Sequence, residues 1–173
     1  MTVDDLENEL ARHHRAAFGW ALACCRWDRV AAEDVLHTAY LKMLDGRARF
    51  AGQSEFRAFL FGVIRRTAGE ERRRRMLRAT LSLSAIRGNG AASASSHDLS
   101  EIIRDETSRE LVVALSRLSS RQREVLHLVF YQDLTIAAAA EVLGVSVGTA
   151  RVHYERGKAQ LRLLLDQELH DAE

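Results

Sequence analysis

Apolar positions recur at helical spacing along most of this chain. Leu10, His14, Ala17, Phe18, Ala21, Leu22 and Cys25 fall three or four residues apart and predict a first helix. Val35, Leu36, Ala39, Tyr40, Met43 and Leu44 predict a second, from about Ala31 to Leu44. The stretch DGRARFAGQSE, residues 45–55, breaks the period with Gly46 and Gly52. Ser54 then stands where a helix cap is expected. Phe56, Phe59, Leu60, Val63, Ile64, Thr67 and Ala68 form the next stripe, which runs on into an arginine cluster.

A second set of stripes follows a different kind of segment. Residues 82–98, SLSAIRGNGAASASSHD, carry no sustained period and have a flexible linker's composition. Beyond them Leu111, Ala114, Leu115 and Leu118 mark a helix. Ser119 with Gln122 fits a capping box for a helix through Val125, Leu126, Val129 and Phe130. Ile136, Ala139, Ala140 and Leu143 mark a third helix, which Gly144 ends. Ser146 caps a fourth, with Val147, Ala150, Tyr154 and Leu161 on its inner face. No strand-like alternation and no internal repeat competes with this reading. The expected fold is all-α: two small helical domains at 5–78 and 105–168, joined by a linker at 79–104.

Composition adds a chemical bias. The chain has 173 residues and no proline, so its turns must be made by Gly, Ser and Asn. The formal net charge is only +1. Residues 65–78 nevertheless hold Arg65, Arg66, Arg72, Arg73, Arg74, Arg75 and Arg78 against Glu70 and Glu71, seven positive charges less two, or +5. Polyanions respond to such local patches rather than to the total. The adjacent cysteines, Cys24 and Cys25, cannot staple a loop, and with His13 and His14 they lack metal-ligand spacing. No nucleophile–base pair or phosphate loop stands out. The expectation is a protein that is not an enzyme and uses no metal or cofactor. No apolar segment is long enough to span a bilayer, so the chain reads as cytoplasmic, without membrane insertion of its own.

The stretch LGVSVGTARVHYERGKAQLR, residues 143–162, points to a partner. Two short helices meet at a glycine, with small residues at the crossing, as in a helix-turn-helix. The second helix offers Ser146, Gly148, Thr149, Arg151, Val152, His153, Arg156 and Lys158 toward DNA. Gly148 is costly in a helix, and close approach of a DNA backbone accounts for it. A solvated amphipathic hairpin is the plainer alternative. In the first domain, Phe61 lies off the apolar stripe among Arg57, Arg65 and Arg66. It is either a stacking surface for unpaired bases or a peripheral core residue. Arg72 and Arg73 extend the phosphate-neutralising face.

Taken in order, these stretches resemble the bacterial extracytoplasmic-function (ECF) sigma factors. AAEDVLHTAYLKML is similar to the family's core-polymerase-binding helix. DGRARFAGQSEFRAFLFGVIRRTAGEERRRR is similar to its minus-10 and melting segment, and RQREV, AEVLGVS and GTARVHYERGKAQLR to its minus-35 reader. The resemblance implies binding to core RNA polymerase through Glu33, Asp34, His37, Leu41 and Lys42. It implies a flipped-base loop with Arg49, Phe50, Gly52, Gln53 and Ser54. It also implies promoter DNA as a partner and control by an anti-sigma factor. The family often carries Asp, Gln and Glu where Ala31, His37 and Thr38 stand, and an Asn where Arg66 stands. A DNA-binding regulator that does not recruit polymerase is the alternative.

Overall fold

A computed structural model of the chain describes residues 2–52, 54–85 and 106–171. Gln53 and residues 86–105 of the expected linker lie outside them. The described residues form helices and no strand, in two compact units divided near residue 97.

The first unit holds α1 (Val3–Cys24), α2 (Arg29–Leu44) and α3 (Phe56–Ala85), each packed on the other two. Thr2 opens α1 with a capping box: its hydroxyl accepts from the Asp5 N–H, and the Asp5 carboxylate accepts from the Thr2 N–H. Asp28 opens α2 by accepting from the Ala31 N–H at 3.0 Å. Trp20 is wholly buried, and its indole N–H donates to the Phe61 carbonyl at 3.0 Å. That bond resolves the cost of burying a polar ring nitrogen. Leu10, Leu36, Met43, Leu60 and Ile64 are buried in the same unit, as are Ala17, Ala32 and Ala39.

Three expectations change here. The first backbone bond of α3 runs from the Phe59 N–H to the Glu55 carbonyl, so the helix starts behind Glu55 rather than behind Ser54. Residues 79–85, expected in the linker, continue α3. Phe61 is fully buried, its ring stacked on Trp20 with centroids 6.1 Å apart. It belongs to the core and offers no face to a base.

The second unit holds α4 (Glu106–Arg117), α5 (Ser120–Leu126), a π-turn (His127–Tyr131), α6 (Ile136–Leu143) and α7 (Val147–Asp171). Ser119 and Gln122 form the capping box that the sequence predicts. Arg123 donates from Nη1 to the carbonyls of Leu115, Ser116 and Leu118, tying α5 to the open end of α4. Ala114, Leu118, Leu126 and Leu164 form a buried cluster, with Tyr154 and Leu161 packed against it. Gly157 sits where α7 crosses α5. A Cβ there would meet Leu126 Cδ1 at 3.1 Å and Gln122 Cβ at 3.2 Å.

The π-turn rotates the helical face. The Gln132 N–H bonds to the His127 carbonyl five residues back, and the extra residue carries Phe130 outward. Phe130 and Tyr131 are therefore exposed, while Leu128, Gln132 and Leu134 turn in. Leu111 and Val147, expected on inner faces, are also exposed, Val147 because it stands at the very tip of α7. Turns are made by left-handed residues: Gly46, Gly52 and Gly144, and the non-glycines Arg26, Trp27 and Asp133.

Candidate nucleic-acid and polymerase interface

In the second unit, α6, a left-handed Gly144 and α7 make the helix-turn-helix. The hydroxyl of Thr135 caps α6 by accepting from the Ala138 N–H. Gly144, at φ 63°, lets its own N–H and that of Val145 satisfy the last carbonyls of α6. Ala140 and Ala150 are buried at the crossing, where a larger side chain would push the helices apart. Ser146 caps α7, its Oγ accepting from the Thr149 N–H at 3.1 Å and lying 2.9 Å from the Thr149 hydroxyl.

The tip of α7 is open. Ser146, Gly148, Thr149, Arg151, Val152 and Arg156 are exposed, and His153 is half-buried. A Cβ on Gly148 would find only Ser146 Oγ, at 3.9 Å, so protein packing does not require glycine there. Among the described residues Arg151 and Arg156 have no ion-pair partner. Their charge, with the N-terminal end of the α7 dipole, gives this end a positive field. Lys158 is differently placed. Its ammonium pairs with Glu155 at 3.2 Å and lies 4.6 Å from the centre of the Tyr154 ring, which stacks on Phe130.

In the first unit the candidate residues separate into three groups. The loop after α2 is pinned at its base: the Ala48 N–H bonds to the Lys42 carbonyl, and Arg47 pairs with Asp45. That contact holds the Asp45 carboxyl below its usual range. Arg49 is exposed, its Nε donating to the Gly46 carbonyl. Phe50 packs between Phe56 and Phe59, with centroids 5.4 and 5.3 Å away, and His13 stacks on Phe56. This aromatic cluster gave no sign in the helical period, because Phe50 sits in the loop. Gly52 is exposed and left-handed, and Ser54 is half-buried. Gln53 lies outside the described residues.

On α3, Arg57 and Arg65 are half-buried, while Arg66, Arg72 and Arg73 are exposed. Arg74 and Arg75 lean on Glu71, and Arg75 also reaches Asp28 at 3.8 Å. Five of the six arginines of this candidate set thus share α3, and the exposed ones run from Arg66 to Arg73.

On α2, Glu33, Asp34, His37 and Leu41 lie on one exposed face that also carries Val30 and Leu44. Charged groups flanking exposed aliphatic side chains suit a partner protein. Lys42 does not belong with them. Its ammonium points inward, donating to Glu70 at 2.7 Å and to Thr67 at 3.1 Å. The same contact holds the Glu70 carboxyl below its usual range. The sequence placed Lys42 beside Leu41 but could not show that α3 passes within its reach.

Comparison with known proteins agrees with this layout. Residues 10–78 match the model of Sigma-70 region 2, and residues 108–161 match Sigma-70, region 4. The RNA polymerase sigma factor YlaC of Bacillus subtilis (strain 168) is 26% identical over 136 residues, covering 76% of this chain and 75% of its own. The fold is that of the sigma factor RpoE of Bartonella quintana, solved in complex with the anti-sigma factor NepR. The TM-score is 0.71 at 23% identity, covering 94% of this chain and 97% of that one. CnrH, solved with the cytosolic domain of CnrY, gives a TM-score of 0.66 at 20% identity, covering 94% and 88%.

Proposed function

The chain belongs to the sigma-70 family as an ECF sigma factor, and from that premise we propose how its surfaces divide the work of starting transcription. The tip of α7 reads minus-35 DNA. Arg151 reaches base edges, Gly148 admits the sugar-phosphate backbone, and Thr149, Arg156 and the capping Ser146 hold phosphates. Val152 and His153 line the same approach, with Lys158 at its margin. In the first unit, Arg49, Gly52, Gln53 and Ser54 border the base-accepting loop, and Phe50 supports it from behind. Arg57, Arg65, Arg66, Arg72 and Arg73 neutralise the minus-10 strand. Phe61 acts only by holding α3 on Trp20.

Core polymerase docks on α2 through Glu33, Asp34, His37 and Leu41. Lys42 stiffens that helix against α3. Core binding joins two modest DNA contacts through one large partner, so affinity rises by effective concentration. No catalytic role is assigned. The protein works in the cytoplasm, where polymerase and chromosome meet. An anti-sigma factor holds it at rest, a reading supported by the structural neighbour RpoE, solved with the anti-sigma factor NepR.

The open, capped tip of α7, with a glycine that packing does not demand, carries the DNA reading. Run-off transcription with bacterial core enzyme, on the DNA upstream of the protein's own gene, tests it. The expected result is a discrete transcript that requires the protein and is lost in Arg151→Ala. Retained core binding without a transcript would indicate a different promoter. Failure of both would leave a DNA-binding regulator.

A further inference from the structure

The surfaces assigned above make no use of Cys24 and Cys25. Cys24 is the last residue of α1, and Cys25 is its C-cap. Neither cysteine is in a disulfide, and both are half-buried. Both line one cavity of about 410 Å³, along with Ala68, Arg72 and Met76 of α3. Consecutive side chains on a regular helix diverge by about 100°. These two share a cavity because the helix stops at them: Cys25 has left helical geometry, and Arg26 and Trp27 follow with φ of 57° and 67°.

The pair is poorly suited to the ordinary fates of thiols. Adjacent Cα atoms across a trans peptide are about 3.8 Å apart, whereas bridged cysteines need about 4.4–6.8 Å. A disulfide between them would be strained. Burial, with the Asp28 carboxylate adding to it, pushes the Cys25 thiol up to about 11. Oxidation by peroxide proceeds through the thiolate, so it is suppressed at Cys25. Condensation with a soft trivalent centre is reversible and settles at equilibrium, so a raised thiol pKa slows it without preventing it. The inserted atom also widens the span between the sulfurs, which relieves the strain of a direct bridge.

We infer that Cys24 and Cys25 form a dithiol site for trivalent arsenicals, presented by the end of α1 to the cavity under α3. With an arylarsine oxide the step is balanced without redox change. Two arsenic–sulfur bonds form, and the arsenic–oxygen bond breaks. The oxygen leaves as water with both thiol protons, and arsenic stays trivalent. Ala68 and the Met76 thioether offer the aryl group an apolar wall. The second sulfur closes its bond intramolecularly, which makes the ring far more durable than two separate thiol adducts.

Native mass spectrometry of the reduced full-length protein with phenylarsine oxide tests the site. The expected spectrum shows one added phenylarsine group with the loss of water. The adduct survives excess mercaptoethanol and is removed by dimercaptopropanol. Cys24→Ser and Cys25→Ser, each with wild-type helix content by circular dichroism, lose the adduct in mercaptoethanol. Cys25→Ala repeats the test should serine in the cavity disturb the fold. A folded wild-type protein that takes up no arsenical would overturn the site, as would an adduct that persists in either single variant.

Discussion

Two glycines of α7 have opposite meanings. At Gly157 the neighbouring atoms already stand at 3.1–3.3 Å from where a Cβ would be, and they belong to α5. Gly157→Ala is expected to lower stability by about 1–3 kcal/mol through overpacking, read as a drop in the melting temperature. At Gly148 the space is open. Gly148→Ala should leave stability unchanged or raise it by about 0.5–1 kcal/mol. The same change should weaken promoter binding by the holoenzyme in a gel-shift titration. Unchanged promoter affinity would remove the close-approach reading of this residue. Phe61 and Trp20 behave as one unit. Phe61→Ala should cost about 3–5 kcal/mol, visible as loss of the first unit's thermal transition. Its transcription defect should therefore scale with the unfolded fraction rather than with a lost base contact.

At the scale of elements, three helix ends of the second unit were legible because capping is local chemistry, whereas the cap expected at Ser54 falls one residue later, at Glu55. Ser119 with Gln122, Ser146 with Thr149, and Gly144 at the turn all need only near neighbours in sequence, and all stand where the spacing puts them. Features that depend on a distant partner were not legible. The inward turn of Lys42 requires Glu70, and the burial of Phe61 requires Trp20, 41 residues away. The π-turn is a third case, since one extra residue in the helix moves Phe130 from the inner face to solvent without altering the apolar count.

That turn also sets a pH response. Burial pushes the His127 imidazole down to about 4 from an ordinary 6.5, and its Nε2 lies 3.3 Å from Gln132 Nε2. Between those values the unfolded chain binds a proton that the folded chain refuses, so stability rises with pH. The second unit should be at full stability above pH 6.5 and lose it progressively down to about pH 4, by up to roughly 3 kcal/mol. His127→Gln should flatten that slope in thermal melts taken across the window.

For the whole molecule, the near-zero net charge conceals a strongly salt-dependent DNA partner. Each phosphate contact adds about 0.9 to the slope of log affinity against log salt. Replacing both Arg72 and Arg73 with alanine should lower the slope of the holoenzyme–promoter complex by about 2 while leaving core binding intact. An unchanged slope would mean that these two side chains stay in solvent at the promoter. Arg74 and Arg75 already lean on Glu71, so their removal should change the slope less.

The left-handed turns bear on how the chain is made as well as on how it is held. Arg26, Trp27, Gly46, Gly52, Asp133 and Gly144 bend the backbone by rotation alone, in a sequence without a single proline. No bend therefore waits on the isomerisation that delays many proteins by about 10–100 s. Within each unit the helices pack on neighbours close in sequence, and bundles built from such local contacts fold in microseconds to milliseconds. In a stopped-flow dilution from urea, refolding should finish without a slow phase.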